Sequence, residues 1–218
     1  MNPIARSMGI AALILTGFAL VGTGLVAITY SGAKDIIAEA QRTALEASLN
    51  QLVSADRYDN RVTEDRIDVV APEWLGTDQP VAIYRARKNG QPVALFATPV
   101  APDGYSGPIQ LLIGAYADGT LAGVRVLAHK ETPGLGDALE ERRSPWILAF
   151  AGKSLTNPSL EKWKVKRDGG VFDQFTGATI TPRAVVKATR RFLEYFQNHQ
   201  ESLFAPASPP PTGKRPAD

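Results

Sequence analysis

The chain has 218 residues, a formal net charge of +2 with both signs mixed along its length, no cysteine and two histidines, His129 and His199. That length suits one ordinary domain with additions, and the absence of cysteine excludes disulfides, zinc–thiolate centres and iron–sulfur clusters. Two histidines are too few for a histidine-rich metal cluster, no clustered basic face invites nucleic acid, and redox chemistry on this chain would need an organic carrier.

Met8 to Tyr30 carries no charge, and the nearest charges are Arg6 and Lys34. About 23 residues at a 1.5 Å rise reach roughly 34 Å, enough for a hydrocarbon core of about 30 Å. A cleaved signal peptide would have a shorter apolar region and a clearer small-residue site than Ser31-Gly32-Ala33, so a retained anchor is the expectation. Arg6 lies on one side and Lys34 and Arg42 on the other, so charge bias does not orient the span. Lys34 to Val53 repeats apolar residues every three or four positions (Ile36, Ile37, Ala40, Ala44, Leu45, Leu49, Leu52), which predicts an amphipathic helix.

Asp56 to Pro80 is mixed and reads as loop. Strands are predicted over Val81–Arg87 and Pro92–Ala97, then a hairpin over Ile109–Ala128 with Asp118-Gly119 at its turn. Ile109, Leu111, Ile113 and Ala115 share one face of it. Asp137, with Glu140 three residues on, resembles a capping box and predicts a helix start. Pro145 opens a second apolar helix through Phe150, Trp163–Val171 reads as a strand broken by Gly169-Gly170, and a last helix runs from Pro182 to about His199 with Val185, Ala188, Phe192, Leu193 and Phe196 on its buried side. The proline-rich stretch after Phe204 has the composition of a disordered tail. The fold class expected is α+β, a mainly antiparallel sheet flanked by helices.

Two loops carry the chemistry. In Asp173-Gln-Phe-Thr176-Gly177-Ala178-Thr179-Ile-Thr181-Pro182, the Thr179 hydroxyl is flanked by residues too small to block it. Thr181-Pro182 reads as an N-cap followed by proline at the first helical position. Thr179 then lies beside a helix N-terminus, where unpaired amides and the dipole favour a phosphate. The second loop is His129-Lys-Glu131-Thr132-Pro-Gly134-Leu135-Gly136. Pro133-Gly134 forces a turn, Gly136 allows close backbone approach, and exposed amides with Leu135 could bed a flat aromatic ring. Both loops also suit ordinary connections into helices. His129 alone reads as a surface residue, and Glu131 has no partner that the sequence reveals.

In order, Gly104-Tyr-Ser-Gly-Pro-Ile109, the Asp-Gly hairpin, the 129–136 loop, Gly169-Gly-x-Phe-Asp173 and Thr176-Gly-Ala-Thr-x-Thr181 resemble the FMN-binding domain of respiratory membrane complexes. With the single anchor and the size, the chain is most similar to the G subunits of Rnf (Rsx) electron-transport complexes. The resemblance covers about residues 8 to 200. It departs at Thr176 and at Pro182, where the family commonly has serine.

The resemblance implies one FMN joined to Thr179 through a phosphoester by a flavin transferase that uses FAD, with Asp173 opening the transferase's recognition sequence. Thr176, Gly177, Ala178, Glu131, Thr132, Gly134, Leu135 and Gly136 would complete the cofactor site. It implies a relay within a complex that passes electrons between ferredoxin and NAD while moving sodium ions or protons, in contact with the other Rnf subunits. The chain would divide into a short cytoplasmic N-terminus (1–7), a transmembrane helix (8–30), a juxtamembrane helix (31–56), a periplasmic FMN-binding domain (57–204) and the tail (205–218). Two other readings compete: the C subunit of the sodium-pumping NADH:quinone reductase, and a flavin-free, membrane-anchored assembly or binding module.

Overall fold

The computed structural model describes residues 3–205, so the proline-rich tail from residue 206 lies outside the described residues. The chain forms two compact units, residues 1–47 and 48–218. Helix α1 (Pro3–Leu52) is one unbroken element. Gly32 weakens a helix but removes no hydrogen-bond donor, so the amphipathic stretch continues directly from the anchor. Within the first unit, Met8–Lys34 is long and apolar enough to cross a membrane, and Leu13, Phe18 and Leu20 stand exposed.

The second unit begins in the last turn of α1, where Leu49, Leu52 and Val53 are buried. Its sheet comprises β1 (Arg66–Val69), β2 (Val81–Lys88), β3 (Gln91–Ala97), β4 (Val100–Ala101), β5 (Ile109–Tyr116) and β6 (Leu121–Ala128). Every named pairing is antiparallel: β1 with β2, β2 with β3, and β5 with β3 and β4 on one side and β6 on the other. Gly119, at φ +85°, closes the β5–β6 turn by donating to Tyr116 O at 2.9 Å.

One sheet face carries Ile83, Leu95, Ile109, Leu111 and Ile113. They join Val185, Phe192, Leu193 and Phe196 of helix α3 (Ile180–Phe204) in the main core. The opposite face is closed where Leu52 meets Gly114 and Gly123. A Cβ at Gly123 would stand 2.9 Å from Leu52 Cδ2.

Several expectations are corrected. Asp56–Pro80 is not all loop. It contains edge strand β1, whose half-exposed, charge-bearing sequence gives little strand signal, and the one-turn helix α2 (Pro72–Leu75). The capping box at Asp137 starts no α-helix. Only a 3-10 turn, Gly136–Leu139, forms there, because Asp137 Oδ1 turns back to accept from Gly134 N at 2.8 Å. Pro145–Phe150 is likewise 3-10, with Ser144 Oγ accepting from Trp146 N at 3.2 Å.

Trp163–Val171 is not a strand. Lys166–Asp168 winds into a 3-10 turn ended by Gly169 at φ +85°, and a Cβ at Gly170 would fall 1.8 Å from Lys164 O. What holds this segment is aromatic packing. Phe172 stacks on Phe150 at 4.6 Å between ring centres, Trp163 sits 5.2 Å from Phe172, and Trp146 lies edge-on to Phe175 at 5.0 Å. Both buried indoles find acceptors, Trp146 Nε1 at Asp173 O (2.7 Å) and Trp163 Nε1 at Ser154 O (2.9 Å). The backbone just ahead of Thr176 is thereby fixed to the core.

Candidate functional site

Helix α3 begins earlier than the proline suggests. Ile180 is its first residue and Thr179 its N-cap, with φ −76° and ψ −28° and no capping hydrogen bond from the side chain. The expected cap at Thr181 is therefore corrected, and Thr181 is the second helical residue. The physical reason lies in Pro182. It occupies the third helical position, where an amide also has no intrahelical acceptor. Pro182 thereby deletes one of the two N–H groups that an N-cap oxygen usually accepts, and the helical dihedrals of Thr179 do not aim its oxygen at the other. The Thr179 hydroxyl is left uncapped and half-exposed, next to the orphan amides of Ile180 and Thr181.

Thr181 has a different task. It is fully buried, and its Oγ1 donates to Glu131 Oε2. Glu131, only 5% exposed, accepts from Ser106 N at 2.9 Å through its other oxygen. One carboxylate thus ties three segments: the 104–107 loop, the 131–136 loop and the first turn of α3. Gly136 makes this possible, since a Cβ there would lie 2.7 Å from Glu131 Oε2 and 3.1 Å from Thr181 Oγ1.

Between these segments opens a cleft of about 160 Å³. Of the residues singled out by the sequence, Glu131, Thr132, Leu135, Gly136, Gly177, Ala178 and Thr179 line it. Gly177 sits at φ +80°, and a Cβ there would come 3.3 Å from Leu135 Cδ2. Thr132 O accepts from Leu135 N (3.2 Å) and Gly136 N (3.0 Å), and Gly134 turns at φ +79°. Gly134, Thr176 and Asp173 are not in the lining; all three are exposed. Asp173 pairs with Lys166 Nζ at 2.5 Å.

Tyr105 and Ile180 also line the cleft, and the sequence alone assigns neither a role. The signal available for Tyr105 is its place between Gly104 and Gly107 in a tight loop. The partnership of Thr181 with Glu131 spans 50 residues and leaves no local pattern.

Two ion pairs brace the surroundings. Arg183 binds Asp168 through two hydrogen bonds, 2.7 and 2.9 Å, closing the base of the loop that carries Thr176–Thr179 and holding the Asp168 carboxyl below its usual range. At the other loop, Glu140 meets Arg142 and His129, and these partners, Arg142 foremost, hold its carboxyl down to about 2. His129 is not the surface residue expected: its side chain is 12% exposed, contacts Glu140 Oε1 at 2.8 Å and accepts from Glu131 N at 3.0 Å. Glu140 is a partner for His129, not a helix cap.

Residues 104–194, which contain the whole cleft, match the model of the FMN-binding domain, and residues 1–52 match that of the RnfG N-terminal region. Proteins named as the G subunit of an ion-translocating oxidoreductase complex are similar over nearly the full length. That of Pseudomonas aeruginosa (strain UCBPP-PA14) is 52% identical over 201 residues, covering 92% of this chain and 94% of the relative. That of Vibrio atlanticus (strain LGP32) is 47% identical over 193 residues, 88% and 92% of the two chains. That of Vibrio cholerae (strain ATCC 39541) is 46% identical over 197 residues, 90% and 94%. The shared name of these relatives favours the Rnf reading over the quinone reductase one, and the FMN-binding match removes the main support for a flavin-free module. The chain belongs to the family of ion-translocating oxidoreductase complex G subunits, with an FMN-binding domain behind a single apolar N-terminal helix.

Proposed function

We propose that this protein is an electron-relay subunit of a membrane complex passing electrons between ferredoxin and NAD, with one FMN joined covalently to Thr179. The observation that carries the reading is the uncapped Thr179 hydroxyl on the rim of a cleft with both polar and apolar lining, beside unpaired helix amides. A threonine that capped its own helix would have its oxygen occupied; this one does not. In attachment, Thr179 Oγ would replace the AMP half of FAD at the flavin-side phosphorus. A new Oγ–P bond forms, the P–O–P link breaks, AMP leaves, and the hydroxyl proton passes to the transferase or solvent. Asp173, exposed and reached by Lys166 alone among the described cations, is presented on the surface as a recognition element for that transferase.

Once attached, the phosphoester would be favoured by the positive end of α3, and Gly177, Ala178 and Leu135 would help to hold the ring. The bound flavin supplies one- or two-electron carriage. Thr179 would tether it, while Glu131, through Thr181, holds the start of α3 against the 131–136 loop. A cleft of about 160 Å³ is smaller than pockets that enclose a ligand, about 300–1,000 Å³, so this chain would cover the flavin only in part. No G-x-G-x-x-G fingerprint follows a strand, so direct hydride exchange with NAD is assigned elsewhere in the complex.

Met8–Tyr30 would anchor the chain in the inner membrane, with residues 57–204 on the periplasmic side. Two measurements test this. The denatured full-length band, expressed with the transferase, should fluoresce as a flavin and lose that signal in Thr179→Ala. Protease added to spheroplasts should digest the flavin domain. A fluorescent Thr179→Ala band refutes the attachment, and a protected domain refutes the orientation.

A further inference from the structure

We propose that Tyr105 forms the aromatic wall against which the flavin ring lies, held at a fixed distance from Thr179 by Glu131; this rests on FMN binding at the Thr179 cleft. Tyr105 combines two features that the fold itself does not require of it. The residue is 69% exposed, the most open large apolar residue among those described in the sheet unit, yet it lines the cleft with Thr179. Its backbone is tightly constrained. A Cβ at the preceding Gly104 would fall 2.2 Å from Gly107 O and 3.1 Å from Glu131 Oε1, and the following residue, Ser106, gives its N–H to the same carboxylate at 2.9 Å. A buried carboxylate thus fixes the backbone on one side of a solvent-facing aromatic ring and close glycine packing fixes the other. Burial within this chain does not account for that constraint, because the ring contributes little buried area.

Leu135 (45% exposed) and Ile180 (44% exposed) line the same cleft. Three partly exposed apolar side chains beside the polar Glu131, Thr132, Thr179 and Thr181 fit a flat aromatic ligand with polar edges laid across the mouth, and a phenol ring favours offset or edge contact with such a ligand. Glu131 is the positioning residue. Its other oxygen holds Thr181, two residues beyond Thr179, so the tether and the wall are braced by one side chain. Because both attachments are to the same carboxylate, Glu131 sets the space available between them.

The test uses the full chain in detergent, expressed with the flavin transferase, as wild type, Tyr105→Leu, Tyr105→Phe and Glu131→Gln. Intact mass reads attachment, while flavin fluorescence yield and visible circular dichroism read the ring's surroundings. Tyr105→Leu should keep the flavin mass, raise the fluorescence several-fold and change the visible dichroism. Tyr105→Phe should preserve most of the dichroism, and Glu131→Gln should shift both signals in the direction of Tyr105→Leu with Tyr105 still present. Unchanged fluorescence and dichroism in Tyr105→Leu overturn the proposal. So does loss of the flavin mass in that variant, which would place Tyr105 in attachment rather than against the ring. A wild type without flavin mass would defeat covalent attachment alone. Free FMN titrated onto wild type and Tyr105→Leu would then decide Tyr105, with binding weakened roughly two- to tenfold if it forms the wall and equal if it does not.

Discussion

Replacing Thr181 with valine keeps the shape of a fully buried side chain and removes one hydroxyl. In the structure that hydroxyl is engaged by the Glu131 carboxylate, itself 5% exposed, so water cannot take its place. A hydrogen bond to a charged acceptor contributes about 1.5–3 kcal/mol, and a buried oxygen left short of a donor loses most of it, so Thr181→Val should cost about 2 kcal/mol. Were Thr181 the helix cap, as its neighbour Pro182 suggests, the loss would be about 1 kcal/mol and independent of Glu131. Urea unfolding of the full chain in detergent separates the two. Trp74, Trp146 and Trp163, the chain's three tryptophans, all report on the unit from residue 48 onward. In a double-mutant cycle with Glu131→Ala, the two substitutions should couple by about 1–2 kcal/mol. Additive losses, with coupling near zero, would refute the brace.

Other outcomes follow from the same geometry. Gly177→Val places a branched side chain at φ +80° with its Cβ 3.3 Å from Leu135 Cδ2, so it should lower stability by about 2 kcal/mol and reduce flavin occupancy; an unchanged unfolding midpoint would contradict the left-handed turn. Asp173→Asn breaks only an exposed ion pair with Lys166, so it should change stability by less than about 0.5 kcal/mol while lowering occupancy in cells that contain the transferase, and full occupancy would remove Asp173 from recognition. The Glu140 carboxyl is held down from 4.5 to about 2, by Arg142 first and then His129. Its contribution is therefore complete above about pH 5 and disappears as pH falls from 4.5 towards 2, worth about 1 kcal/mol after allowance for its position near solvent. Glu140→Gln should flatten that acid limb in unfolding measured from pH 6 to 3; an identical limb would show that the Glu140 pairing does not contribute.

The elements most legible in the sequence are those whose signal is local and periodic. The alternation of Ile109, Leu111, Ile113 and Ala115, the Asp118-Gly119 turn and the apolar stripe of α3 all reappear in the structure. Misreadings arise where two arrangements share one local signature. Proline is tolerated at the first and at the third helical position for the same reason, a missing amide that needs no partner, so Thr181-Pro182 does not distinguish a cap at Thr181 from one at Thr179. Asp137 and Glu140 have capping-box spacing, yet one serves a turn and the other a histidine. Trp163 and the apolar residues after it suggest a strand because large apolar residues favour strands, whereas the Trp163 and Phe172 rings pack together and the Gly169-Gly170 turn breaks the backbone. Glu131 looks unpartnered in the sequence because its partners, Ser106 and Thr181, come from distant parts of the chain.

Tandem mass spectrometry of the tryptic peptide Asp168–Arg183, taken from the full chain matured with its transferase, tests the central claim most directly. That peptide contains three hydroxyl candidates, Thr176, Thr179 and Thr181, which the structure treats differently: Thr176 is exposed outside the cleft, Thr181 is buried on Glu131, and Thr179 is half-exposed on the cleft with its oxygen uncapped. The account predicts a single flavin phosphoester on Thr179. A peptide carrying the flavin on Thr176 or Thr181, or carrying none, would contradict it.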